Sequence, residues 1–199
     1  MASNNTPLRK QITEQIFTVA DFFSSEECDA YIELTEKAGY RDAPITTSRG
    51  PQMRPEIRNN TRVMIDDLAR ADELYKRVEL YVPKTLEDCW SVCGLNERFR
   101  FYRYDVGQQF NWHYDGCFER DNGERSFLTF MVYLNDGFAG GETQFSHVDI
   151  EPQRGMALFF IHQIKHKGQS VSAGRKYVLR SDVMYQYVRP AVQNESVQA

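Results

Sequence analysis

After Leu95 the chain becomes a succession of short runs rich in β-branched and aromatic residues: RFRFYRYDVG, SFLTFMVYLN, GGETQF, GMALFFI and KYVLRSDVMYQYV. Gly-, Asp- or Asn-containing turns separate them, and that texture belongs to an antiparallel sandwich or barrel. Successive side chains of a strand face opposite ways, so Phe99, Phe101 and Arg103 should share one face and Arg100, Tyr102 and Tyr104 the other. By the same rule Thr129, Met131 and Tyr133 share a face opposite Leu128, Phe130, Val132 and Leu134.

The first third has a different character and reads as mostly helical support for that core. The apolar run IFTVADFF leads into SSEECDAYIELTEKAG, where Ser24 or Ser25 can cap a helix over Glu26 to Lys37 that ends at Gly39. From Tyr40 to Arg58 three prolines, a glycine and no periodicity predict a long surface loop. NTRVMIDD reads as a strand, and LARADELYKRVELYVPKTLEDCW as one or two helices packed on a sheet. No repeat or low-complexity linker divides the sequence. The expectation is a single domain over 1–199: helical support and a substrate loop in 1–95, a β core in 96–188 and a disordered tail in 189–199.

A length of 199 residues suits one core rather than two. A net charge of −4 and a pI near 5.6 argue against a surface built for nucleic acid. No stretch approaches the roughly 20 apolar residues needed to cross a bilayer, and the polar start MASNNTPLRKQ lacks the apolar segment of a signal peptide. The expectations are therefore no nucleic-acid partner, no membrane partner and a cytoplasmic address. Four irregularly spaced cysteines, Cys28, Cys89, Cys93 and Cys117, read as reduced thiols, since no second pair completes a zinc site with Cys89 and Cys93.

The chemistry concentrates in His113-Tyr114-Asp115. On an extended strand this spacing points both ligand-type side chains to one face. A third ligand from a distant strand completes a facial set of two imidazoles and one carboxylate, with coordination positions left open. Of the remaining histidines, His147 and His162 sit at a turn and a strand end. His166 opens HKGQSVSAGRKY, a glycine-punctuated turn back into a strand bearing Arg175, Lys176 and Arg180, any of which can hold an acid beside a metal. His166 is the choice for the third ligand.

In this pattern the protein resembles the prolyl 4-hydroxylase-like branch of the iron(II)/2-oxoglutarate-dependent oxygenases, well over Glu97 to Tyr187 and weakly before it. The resemblance rests on Tyr104, Gly107, His113 and Asp115 in YDVGQQFNWHYD, on VYLN with Tyr133, on GGETQF from Gly140 to Phe145, and on His166, Val171, Gly174 and Lys176 in order. It implies an α+β fold with a double-stranded β-helix (jelly-roll, cupin-like) core braced by N-terminal helices. It also implies iron(II) on His113, Asp115 and His166, with 2-oxoglutarate and dioxygen as cosubstrates and ascorbate as a possible auxiliary. Lys176 would pair with the distal carboxylate of 2-oxoglutarate and Tyr133 would hydrogen-bond to it, with Tyr104 and Thr143 adding contacts. A dianion in an apolar barrel needs such a cation. Relatives that halogenate replace the carboxylate ligand, so Asp115 favours hydroxylation.

For the substrate, Asn60 and Arg62 sit where a strand would border the site, Trp112 flanks the ligands and Arg180 shares a face with Lys176. Arg41, Arg49, Arg54, Arg58 and Arg62 meet few acids, a pattern that suits either a lid gripping an anionic substrate or a solubilising loop. Two activities are compatible: hydroxylation of a peptidyl proline or other protein side chain, or of a small amino-acid-like molecule. A non-catalytic cupin-like metal- or ligand-binding module is the alternative of a different class.

Overall fold

The structure, a computed structural model, describes residues 7–189. An N-terminal hairpin of β1 (Arg9–Thr13) and β2 (Ile16–Val19) precedes helix α1 (Ser25–Ala38). There follow β3 (Arg41–Asp42), β4 (Ile45–Thr47), β5 (Gly50–Gln52), β6 (Thr61–Asp66), helix α2 (Leu68–Val78), β7 (Thr85–Leu86), β8 (Trp90–Leu95) and β9 (Arg98–Tyr104). The rest is strand: β10 (Phe110–His113), β11 (Arg125–Tyr133), β12 (Ala139–Gly140), β13 (Thr143–Phe145), β14 (Asp149–Ile150), β15 (Ala157–Ile161), β16 (His166–Gly168), β17 (Val171–Ala173) and β18 (Lys176–Tyr187).

The larger sheet runs β1-β2-β15-β11-β18-β9-β6-β3, and β8 pairs with the C-terminal half of β18. A smaller sheet runs β10-β16-β13-β14, with β12 and β17 paired beside it. Every pairing is antiparallel. This is the double-stranded β-helix, and alternation along its strands builds it. Leu128, Phe130, Val132 and Leu134 pack with Phe99, Phe101 and Leu179 on one face, under Cys28 of α1 and Ala71, Leu74 and Val78 of α2. Tyr102, Tyr104, Tyr133, Leu158, Phe160 and Val178 pack on the other face with Phe145 and Ile150 of the smaller sheet. The buried apolar residues thus form two layers, because the central sheet is covered on both faces.

Helix α1 starts where the sequence places it. Ser24 accepts from the Glu27 amide while the Glu27 carboxylate accepts from the Ser24 amide, a reciprocal capping box, and Gly39 closes the other end with φ of 80°. Elsewhere the first third contains more strand than expected. Residues 9–19 form a hairpin that extends the large sheet beyond β15. The supposed loop from Tyr40 to Arg58 contains β3 and the β4-β5 hairpin. A second helix after α2 does not form: Pro83 intervenes, Glu87 and Asp88 adopt positive φ of 50° and 54°, and a tight hairpin joins β7 to β8. Cys93 is consequently on a strand and Cys89 in the turn before it. Apart from Arg189, the expected tail lies outside the described residues. No helix is long and apolar enough to cross a membrane.

Candidate metal centre

Strand pairing sets two histidines side by side. His113 ends β10 and His166 begins β16, and their backbones are directly opposed. Asp115 lies two residues beyond the end of β10, outside the strand on which the spacing had placed it. The three side chains still converge, each offering one ligand atom, with all three atoms within 4.8 Å of one another. His113 Nε2 is 3.8 Å from Asp115 Oδ1, and His166 Nε2 is 3.7 Å from Asp115 Oδ2.

Each imidazole is oriented the same way. His113 Nδ1 lies 2.7 Å from the Asn111 carbonyl and His166 Nδ1 lies 3.0 Å from that of Ile164. A carbonyl can only accept, so both Nδ1 atoms carry the proton and both Nε2 lone pairs face the carboxylate. Phe110 stacks on His113 at 3.5 Å, and Phe160 meets His166 edge-on at 4.6 Å. Burial, reinforced by His166, lowers the His113 pKa to about 3, and burial lowers that of His166 as well. Burial alone would raise the Asp115 pKa, but Arg180, the two histidines and Thr129 hold it well below the usual carboxylate range. Two neutral imidazoles and an ionised carboxylate, their free lone pairs converging, form a donor set that fits a divalent transition metal.

A relay of hydrogen bonds absent from the sequence-based expectation fixes Asp115. Thr129 Oγ1 donates to Asp115 Oδ2 at 2.5 Å, so its own lone pair accepts from His162 Nδ1 at 3.1 Å. His162 Nε2 then accepts from Ser126 Oγ at 2.9 Å, and Ser126 Oγ accepts from the Phe118 amide at 2.8 Å. Every donor in this buried relay has one acceptor, which assigns His162 the Nδ1-H tautomer. Burial lowers the His162 pKa, consistent with a neutral ring. On the other side Arg180 bridges Asp115 and Asp182 at 3.1 and 3.0 Å, and Asp182 is also held by Arg100 and Asn96.

A cavity of about 640 Å³ opens over the three ligands. Lys176, in register with Tyr104, lies completely buried in its wall. Its Nζ donates to the Gly141 carbonyl and is 5.3 Å from the Tyr104 and Tyr133 ring centres. Burial lowers its pKa to about 7, with Glu142 alone acting in the other direction. Gly141 has φ of 75°, and a Cβ there would come within 3.2 Å of Lys176 and of Val171, which accounts for the second glycine of GGETQF. Tyr104 and Thr143 also line the cavity; Tyr133 stands behind, its hydroxyl 2.7 Å from Thr143 Oγ1. Arg175 faces outward and pairs with Asp105.

Among the expected substrate contacts, Arg62, Trp112 and Arg180 line the cavity. Asn60 does not; it is buried and its Oδ1 accepts from Arg58 Nε at 2.8 Å, and Arg58 is the residue that reaches the cavity. Tyr102 shares this wall: burial raises its phenol pKa, but Arg58, Arg180 and Arg100 together pull it below the ordinary value. The alternation of β9 had put Tyr102 on the correct face. Of its guanidinium neighbours, Arg100 lies on the same face of β9, as the alternation implied, whereas Arg58 and Arg180 come from distant segments that no local pattern links.

A jelly roll that presents two histidines and an aspartate at the floor of a cavity has the donor set of a non-haem metal centre. Residues 99–181, which carry all three ligands and Lys176, match the model of the 2OG-Fe(II) oxygenase superfamily. It is similar to "Probable prolyl 4-hydroxylase 7" of Arabidopsis thaliana, with 25% identity over 138 residues, 67% of this chain and 42% of that protein. The sequence thus spans less than half the length of this relative. Among solved structures, a Pseudomonas putida prolyl-4-hydroxylase aligns over 86% of this chain and 93% of its own with a TM-score of 0.64 and 19% identity. A Trichoplax adhaerens prolyl hydroxylase in complex with a hypoxia inducible factor peptide aligns over 86% and 84% with a TM-score of 0.65 and 18% identity. Both share the fold.

Proposed function

We propose that this protein is an iron(II)- and 2-oxoglutarate-dependent hydroxylase of an amino-acid-like substrate, either a peptidyl prolyl or other side chain or a small molecule. One observation carries the reading: a metal-type triad shares a cavity with Lys176, a buried amine with no carboxylate in ion-pair distance among the described residues. Uncompensated burial of an amine is costly, so the site calls for an anion. His113, Asp115 and His166 would hold the iron. Lys176 would pair with the distal carboxylate of 2-oxoglutarate, Tyr104 and Thr143 would border it, and Tyr133 would act through Thr143.

Bound there, iron(II) with 2-oxoglutarate and dioxygen supplies the oxidising power to hydroxylate an unactivated C–H bond, and 2-oxoglutarate becomes succinate and carbon dioxide. The protein's own task is to position and shield. The carbonyl-bonded Nδ1 atoms keep both histidines in the ligating tautomer, and Thr129 and Arg180 fix the rotation of Asp115. Phe110, Phe160 and Val178 keep the cavity wall apolar around these groups. The peptide held by the Trichoplax neighbour supports a substrate of amino-acid character.

The test is anaerobic reconstitution with iron(II) and 2-oxoglutarate, followed by the weak visible charge-transfer absorption of the chelate. The band should appear in wild type and vanish in His166→Ala, while Lys176→Ala should need far more 2-oxoglutarate. Well-folded wild-type protein with no band at saturating 2-oxoglutarate would reject the reading.

A further inference from the structure

The cavity wall carries Arg58, Arg62, Arg100, Arg180 and Lys176 against a single acid, Asp115. Two of these cations are compensated: Arg100 by Asp182, and Arg180 by Asp182 and Asp115. Lys176 is the cation assigned above to the cosubstrate. Arg58 and Arg62 remain, and neither has a carboxylate within ion-pair distance among the described residues.

Arg58 is the more informative of the two. It is 4% exposed, and its guanidinium lies 4.5 Å from the ring centres of both Tyr102 and Phe110. Phe110 in turn stacks on His113, so Arg58 is one aromatic ring from a metal ligand. Asn60 fixes its Nε, whereas its buried Nη2 has no hydrogen-bond partner. A guanidinium held at Nε, lining the cavity and left with an unpartnered Nη2 donor, is suited to receive a carboxylate. Half-buried Arg62 stands on the same wall without an acid.

Resting on the hydroxylase reading, we infer that Arg58, assisted by Arg62, binds the carboxylate of the substrate, and that the substrate is a free amino acid rather than a residue within a neutral peptide. A peptide carbonyl can accept N–H bonds but brings no charge to offset the buried cation. In a free amino acid the α-carboxylate lies only a few bonds from the carbons of the side chain. Such a molecule can place its acid on Arg58 and its reacting carbon over the triad within the 640 Å³ cavity.

The test offers the iron(II)- and 2-oxoglutarate-loaded enzyme each of the free L-amino acids and, in parallel, the corresponding C-terminal amide, and measures succinate release above the substrate-free rate. At least one acid should stimulate release about tenfold or more over its amide, as expected when a buried charge is left unpaired. For that acid, Arg58→Gln should lower kcat/KM about a hundredfold and Arg62→Gln about tenfold, with the KM for 2-oxoglutarate unchanged. A purely structural Arg58 would depress acid and amide alike. Arg62→Gln and Arg58→Lys keep the test meaningful should Arg58→Gln fold poorly. The inference is overturned if no acid outperforms its amide, or if the variants leave the acid-to-amide ratio where it was. Failure of the hydroxylase reading looks different, because wild type would then not bind 2-oxoglutarate at all.

Discussion

Lys176 makes the clearest prediction for a single residue. Burial lowers its pKa to about 7, against 10.5 for the free group, so above neutral pH the empty site holds a neutral amine. A bound carboxylate favours the charged form and raises that pKa, so binding takes up a proton once the pH exceeds about 7. Affinity for 2-oxoglutarate should therefore fall by up to about tenfold per pH unit from 7 to 9. Lys176→Arg, permanently charged, should abolish the slope. Titrations at constant iron(II) decide it, and a flat wild-type profile would mean that the amine is already charged in the empty site. The same depression has a folding consequence. The unfolded protein holds this proton up to a pH near 10.5 and the empty folded one loses it near 7, so Lys176 opposes folding less as pH rises between those values. At the same scale, Thr129→Val removes the donor to Asp115 and leaves His162 Nδ1-H without an acceptor. Metal affinity should drop about 10- to 100-fold with the fold retained, measured by competition with a chelator.

What the sequence disclosed about these residues follows from how local their constraints are. His113 and Asp115 sit two apart, close enough in sequence to suggest a shared ligand set even though Asp115 falls outside β10. Tyr104 and Lys176, both named by the motif resemblance, are opposed across β9 and β18, a register that only the structure gives. His162, by contrast, had looked like an ordinary strand-end histidine. Its role arises from Ser126 and Thr129 on β11, which meet it only once β15 pairs with that strand. Arg58 stood within a loop whose charges suited solubility equally well, and only its sandwich between Tyr102 and Phe110 separates it from its neighbours.

For whole elements, hydrophobic periodicity identified the strands that face two apolar layers and missed those held by edge pairing. Strand β9, with Phe99 and Phe101 to one side and Tyr102 and Tyr104 to the other, is written in its own alternation. Strand β1 has little burial of its own and exists because β2 offers it a hydrogen-bonding edge. Helix α1 was legible because its capping box is local. Ser24→Ala should cost about 1 kcal/mol, lowering the melting midpoint by about 2–4 °C, and leave metal affinity unaltered. Glu27→Ala should cost more, because Glu27 both completes the box and binds Arg77 of α2 at 2.6 Å. Thermal unfolding of the two variants side by side checks the order. Equal losses would show that the partly exposed α1–α2 ion pair contributes nothing measurable.

Over the whole molecule, the metal centre draws on both sheets. His113 and His166 come from the smaller sheet, while Asp115 is held by Thr129 and Arg180 of the larger one. A cation on the triad would thus tie the two layers together, and it would also relieve the cost of gathering unprotonated ligands in a buried cavity. Ligands that bind only the folded state stabilise it by mass action, about 2.7 kcal/mol at a hundred times the dissociation constant. For a protein of this size that is a rise in melting midpoint of about 5–10 °C on saturation with iron(II) under anaerobic conditions. Adding 2-oxoglutarate should raise it further, since the dianion supplies the partner that Lys176 lacks. The second increment should disappear in Lys176→Met while the first survives, and both should disappear in His166→Ala. A chelator added to the loaded wild type should return the midpoint to that of the metal-free protein. If 2-oxoglutarate stabilised Lys176→Met as much as wild type, the buried lysine would not be the cation that receives it, and Arg58 would become the next group to test in that role.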